Sequence, residues 1–95
     1  ITGYRKVLDL AEAAGLKTGP HSWSTAISSA ASLQVAATSS TSCFFEMKPL
    51  QSPVQQDLAL PELLFDTNGN FTPSDAPGLG IRVNHAVLNN FTVTR

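Results

Sequence analysis

Apolar positions near the start of the chain follow a helical period. Tyr4, Val7, Leu8, Ala11 and Ala14 recur at three- and four-residue spacing, with Arg5, Lys6, Asp9 and Glu12 over much of the opposite face. This predicts an amphipathic helix near 3–14, and Gly15 stands where a C′ residue turns the chain out of it. Leu16 to Gly19 reads as a short strand. Ile27, Ala30, Ala31, Leu33, Val35 and Ala37 then predict a second helix from about Ser24 to Thr38, with Ser24 or Ser22 as its N-cap. Its many Ala and Ser side chains suit close packing on a sheet. Thr41 to Phe45, rich in Thr and Phe, predicts a buried strand that delivers Glu46, with Cys43 in its core.

Beyond Pro49 the pattern changes. Leu50 to Leu60 mixes polar and apolar residues around Pro53, as a loop or a short helical turn would. Glu62-Leu63-Leu64-Phe65 and Asn70-Phe71-Thr72 flank the turn-rich Asp66-Thr67-Asn68-Gly69, which predicts a hairpin. Pro77-Gly78-Leu79-Gly80 precedes a short strand, Ile81 to Val83, and Asn84 is placed to cap a last helix reaching about Asn90. The chain therefore divides into an α/β segment over 1–49 and a small β-rich tail over 50–95.

Charge sharpens this picture. A net charge of −1 gives no electrostatic reason to expect nucleic acid or acidic lipid. From Thr18 to Phe45 there is no Lys, Arg, Asp or Glu, so the second helix has no charged face to turn to water. It is also too rich in Ser and Thr to span a membrane. Such a stretch is expected inside a larger body. Cys43, the sole cysteine, leaves no internal disulfide and favours a reducing, cytoplasmic setting. Asn70-Phe71-Thr72 and Asn90-Phe91-Thr92 fit the glycosylation sequon, but with no secretory signal in view they are read as chance.

The chemistry-bearing residues are His21, in Pro20-His21-Ser22-Trp23, and Glu46. In a β-α-β unit both strands run the same way, so both residues would emerge at one carboxyl end, within about 10 Å of each other. An imidazole and a carboxyl on the rim where α/β enzymes place their chemistry suit proton transfer. The plainer alternatives are a histidine satisfied at a loop start and a Glu46–Lys48 ion pair. Trp23 is expected to pack rather than to touch substrate, and Asp75, Gly78 and Gly80 to serve turns.

In order along the chain, Ile1-Thr2-Gly3, Gly15-Leu16, Pro20-His21-Ser22-Trp23, Phe44-Phe45-Glu46, Gly69-Asn70-Phe71-Thr72-Pro73 and Asp75-Ala76-Pro77-Gly78-Leu79-Gly80 resemble the enolase superfamily in its mandelate racemase-like branch. The resemblance implies a (β/α)7β barrel, of which these residues would form the last two parallel strands with their helices. The tail would pack on a separate capping domain. It also implies abstraction of the proton beside a carboxylate, with the enediolate held on Mg²⁺, by an acid-sugar dehydratase or a racemase. His21 matches the histidine after the seventh strand, and Glu46 the carboxyl group after the eighth that hydrogen-bonds the enediolate.

The same resemblance places the Mg²⁺ carboxylates on the third, fourth and fifth strands, and a lysine pair on the second, all before Ile1. The aspartate that partners the histidine is also missing. The 95 residues are therefore expected to be part of a larger enzyme, without a metal ligand set or catalysis of their own. Expected partners are a small hydroxy-carboxylate substrate in the parent, together with an upstream polypeptide or further copies of the chain. Nucleic acid and membrane are not expected. The alternative is a non-catalytic fragment that stands alone by self-association.

Overall fold

A computed structural model describes residues 1–93; Thr94 and Arg95, the end of the expected tail, lie outside the described residues. Four helices and one two-stranded sheet follow in the order α1 (Thr2–Ala13), α2 (Ala26–Ala36), α3 (Pro53–Gln56), β1 (Ala59–Leu60), β2 (Arg82–Val83) and α4 (His85–Asn90).

Helix α1 ends as its sequence predicts. Gly15 takes φ +66°. The Leu16 N–H donates to the Ala11 carbonyl at 2.9 Å and the Gly15 N–H to the Glu12 carbonyl at 3.1 Å, which together make a Schellman motif. Leu8 and Ala11 are buried and Tyr4 half-buried, whereas Val7, Leu10 and Ala14 are exposed. Only part of the expected apolar face is covered. Arg5 pairs one turn on with Asp9 (3.1 Å) and also donates to the Thr38 hydroxyl at 2.7 Å, tying α1 to the end of α2.

Helix α2 is interior, and none of its residues is exposed. Ala26, Ser29, Ala30, Leu33, Val35 and Ala36 are buried. A helix without a charged side chain is tolerated because each of its residues is at least partly covered by neighbours. The cap differs from expectation. Thr25, not Ser24 or Ser22, accepts the Ser28 N–H at 3.2 Å, since the helix begins at Ala26 and Thr25 is the extended residue directly before it.

The strands expected over 16–19 and 41–46 do not form continuous ladders. They meet at two isolated parallel bridges, Thr18 with Ser42 and His21 with Glu46. Thr18 N–H donates to Thr41 C=O (2.9 Å), Cys43 N–H to Thr18 C=O (3.1 Å) and Glu46 N–H to Pro20 C=O (2.9 Å). Between the bridges, three steps on one side (18 to 21) face four on the other (42 to 46). That extra residue, with the missing N–H of Pro20, breaks the ladder. Gly19 belongs to the same interruption, because a Cβ there would run into the Phe44 ring. Hydroxyls reinforce the first bridge: Thr18 Oγ1 lies 3.2 Å from Thr41 Oγ1 and 3.3 Å from Ser42 Oγ. Cys43, expected in the core, is instead exposed beside this irregular edge.

The tail builds the small core. Ala26 of α2, Leu58 and Ala59 are buried together, with Ile27, Val54, Ile81, Val83 and Val87 packed on them. β1, in a stretch expected to be loop, pairs antiparallel with the expected strand β2, Ala59 opposite Val83 and Leu60 opposite Arg82. Asn84 is the N-cap of α4, but its side chain donates to the Asp57 carbonyl at 3.0 Å instead of capping. The hairpin around 66–69 does not become a ladder. Asp66 Oδ1 accepts the N–H groups of Asn68 and Asn70, each at 2.8 Å, and Phe65 meets Phe71 edge to face across the turn. Backbone bonds join the Asp66 N–H to the Asn70 carbonyl (2.9 Å) and the Gly69 N–H to the Asp66 carbonyl (3.0 Å), so side chain and backbone close the turn together without a longer ladder.

Two expectations follow. The N–H groups of Asn70, Asn68 and Gly69 hold the Asp66 carboxyl below its ordinary value of 3.8. A depressed folded value means that the turn's contribution is complete above about pH 4 and is lost as pH falls through the lowered value. Amide shifts of Asn68 and Asn70 should therefore stay constant on acidification to pH 4 and move only below it. Separately, buried Gly80 has φ +72°, and a Cβ there would lie 2.7 Å from that of Ser74. Gly80→Ala should lower stability by about 1–3 kcal/mol in denaturant unfolding.

Candidate active site

His21 and Glu46 are brought together by the second parallel bridge. Counting on from the Thr18–Ser42 bridge, an uninterrupted ladder would set Phe45 beside His21. The extra residue between 42 and 46 puts Glu46 there instead. The chemistry of this spot therefore follows from the break in the ladder. His21 Nδ1 lies 4.0 Å from Glu46 Oε2, with the two side chains 62% and 50% exposed. That exceeds the roughly 2.7–3.2 Å of a nitrogen–oxygen hydrogen bond. The carboxyl and the imidazole are neighbours free to address a third molecule. Glu46 is paired with His21, not with Lys48.

Trp23 is half-exposed, its ring centroid 5.5 Å from that of His21 at 51°. It packs on the imidazole itself and not in the core, limiting the ring's freedom on one side. A cleft of about 530 Å³ opens beside His21, lined by Tyr4, Val7, Thr18, Gly19, Pro20 and Ser32. Burial pushes the Tyr4 phenol above its ordinary value of 10.0, partly offset by the nearby Ser42 hydroxyl. Among the described residues, no partner bonds the Tyr4 oxygen in good geometry, and the Ser42 hydroxyl is already within reach of Thr18.

Behind the His21 loop lies a polar contact that the sequence pattern did not reveal. Ser29 Oγ donates to the Ser22 carbonyl at 3.0 Å, and Gln55 Nε2 reaches Ser29 Oγ at 2.8 Å and the same carbonyl at 3.5 Å. The small size of Ser29 on an Ala-rich helix was a signal for close approach, though not for this partner. Gln55 carried no signal, as it stands in a mixture of polar and apolar residues and its partners are 26 and 33 residues away. Asp75, Gly78 and Gly80 lie in the tail loop, where Gln34 Nε2 donates to the Ser74 carbonyl at 3.0 Å.

Among the described residues, no group of three or more His, Cys, Asp or Glu side chains could hold a metal ion. Magnesium asks for near-octahedral oxygen coordination, usually through well-placed carboxylates, and Glu46 alone beside an imidazole does not meet that demand. These residues do not fit Mg²⁺ by themselves. What the pair can do is move a proton and donate or accept a hydrogen bond. No described helix is long and apolar enough to cross a membrane.

With two proton-handling side chains held at a parallel crossing, the comparisons with known proteins supply the kinship. A family model described as enolase C-terminal domain-like matches residues 1–87, and the chain belongs to this family. His21, Glu46 and nearly all of the tail fall inside the match, in agreement with the resemblance read from the sequence. Enolase-superfamily members are enzymes and usually use Mg²⁺. The comparisons with curated proteins and with solved structures gave no match.

The exposed pair should matter little to stability. Solvent-exposed ion pairs contribute at most about 1 kcal/mol, so Glu46→Gln should leave the unfolding free energy unchanged within that margin in a urea titration.

Proposed function

We propose that this chain is the C-terminal part of a mandelate racemase-like enzyme that removes the α-proton of a small hydroxy-carboxylate. The observation that carries this reading is His21 and Glu46 side by side, 4.0 Å apart, on neighbouring parallel segments inside the family match. In it the two parallel segments are the last strands of a (β/α)7β barrel. The tail packs on a capping domain, and the Mg²⁺ carboxylates come from polypeptide upstream of Ile1. The exposure of Val7, Leu10 and Leu16 supports it, because earlier barrel elements would cover them.

Nδ1 of His21 faces Glu46, which leaves Nε2 free to approach a substrate and take the proton from its α-carbon. Glu46 hydrogen-bonds the carboxylate oxygen on which negative charge grows. The interaction is worth most in the transition state, where that charge develops. Trp23 holds the imidazole plane from one side. In a racemase the carbon then regains a proton on its other face from an acid supplied by the upstream polypeptide, and His21 returns its proton to solvent. In a dehydratase the β-hydroxyl takes the proton held by His21 and leaves as water.

His21→Asn in the full-length parent should abolish α-proton exchange with solvent while leaving substrate binding nearly intact. A positioned general base contributes about 10²–10⁴-fold in rate. Glu46→Gln should lower turnover less. Near-normal deuterium incorporation by the His21 variant would assign the base to another residue.

The uncovered apolar side chains favour one other reading, a non-catalytic piece that completes its sheet with copies of itself. Both readings expect the isolated 95 residues to associate, since an open edge and an exposed Phe44 invite pairing. Sedimentation at micromolar concentration should show species larger than a monomer. A monodisperse, cooperatively unfolding monomer would count against both.

A further inference from the structure

The amide of Gln55 sits in a dry place on unfavourable terms. Ser29 is fully buried and Gln55 is 5% exposed, yet among the described residues Gln55 Oε1 has no hydrogen-bond partner. An orphaned buried acceptor lowers stability, and an apolar side chain of the same shape would avoid that loss. What the amide provides is its donor end, 2.8 Å from Ser29 Oγ and 3.5 Å from the Ser22 carbonyl, which Ser29 also bonds at 3.0 Å. Ser22 is itself buried and directly follows His21. The Pro20 carbonyl on the other side of His21 is held by the Glu46 N–H at 2.9 Å. His21 is thus pinned from both flanks, by Glu46 before it and by Ser29 with Gln55 after it.

We infer that Gln55 of the tail and Ser29 of α2 are positioning residues for His21, acting through the Ser22 carbonyl. The inference rests on the reading of His21 as the proton-abstracting base. It joins the tail to the site: α3 fixes the backbone from which the imidazole projects. Neither residue touches substrate or the reacting proton. Their effect is on where the ring stands relative to Glu46 Oε2 and Trp23.

The test uses the full-length parent with histidine labelled at Cε1, the His21 signal being assigned by its loss in His21→Asn. Gln55→Met and Ser29→Ala remove the donors at nearly constant volume. In each, the His21 Cε1 resonance should shift while the thermal midpoint stays close to the wild type. Turnover should fall about 10- to 100-fold, as expected for a misplaced catalytic group, with KM unchanged. An unmoved His21 signal in folded variants overturns the inference. So does loss of the fold in both, which would make the contact structural. If His21→Asn retains α-proton exchange, the reading of the base fails, while the resonance shift still decides whether Gln55 and Ser29 set the ring's position.

Discussion

A single hydrogen bond, from the Glu46 N–H to the Pro20 carbonyl, sets where the two chemistry-bearing side chains can be. Thr18 and Ser42 start a parallel register that would bring Phe45 alongside His21. The chain spends one extra residue over 43–45, resumes pairing at Glu46, and so replaces an aromatic ring by a carboxyl. Pro20, with no N–H to offer, and Gly19, whose missing Cβ makes room for Phe44, let that dislocation happen without a clash. Neither bridge is long, but both lie between α1 and α2 in sequence or just after them, and the helices hold the crossing in place.

Helix α2 is the second support. It carries no charge, shows no exposed residue, and meets α1, α3 and the tail loop through Ala, Ser and Gln34. Small residues allow close approach, and hydroxyls supply bonds where a larger apolar side chain would only fill space. The buried polar contact from Ser29 to Ser22 is an outcome of that composition.

Local chemistry was legible in the sequence wherever one residue decides the outcome. Gly15 ends α1 by the motif its position implied, Asn84 stands before α4 although its side chain bonds elsewhere, and the chargeless helix α2 has no exposed residue. Strand direction put His21 and Glu46 at one end, but the extra residue that makes them direct partners was not legible. Features decided by distant partners were not legible. β1 exists only because Ala59 finds Val83, Gln55 is buried only because Ser29 and Ser22 meet it, and Cys43 is exposed because the ladder breaks at its position. The hairpin shrank to one cross-turn backbone bond, Asp66 N–H to Asn70 C=O, for a local reason that the pattern could not rank: the Asp66 carboxylate takes the N–H groups of Asn68 and Asn70.

The absence of Lys and Arg from α2 and its flanks also governs how the molecule can be cut. Trypsin finds Lys17 before this region and Lys48 after it, and the latter is followed by Pro49, a bond the protease resists. Its next site is Arg82. Digestion therefore releases His21, Glu46, Ser29 and Gln55 on one very long peptide, Thr18 to Arg82. A reagent that labels either side chain of the pair would report the same fragment mass, and a protease that cuts at aromatic residues is needed to tell them apart.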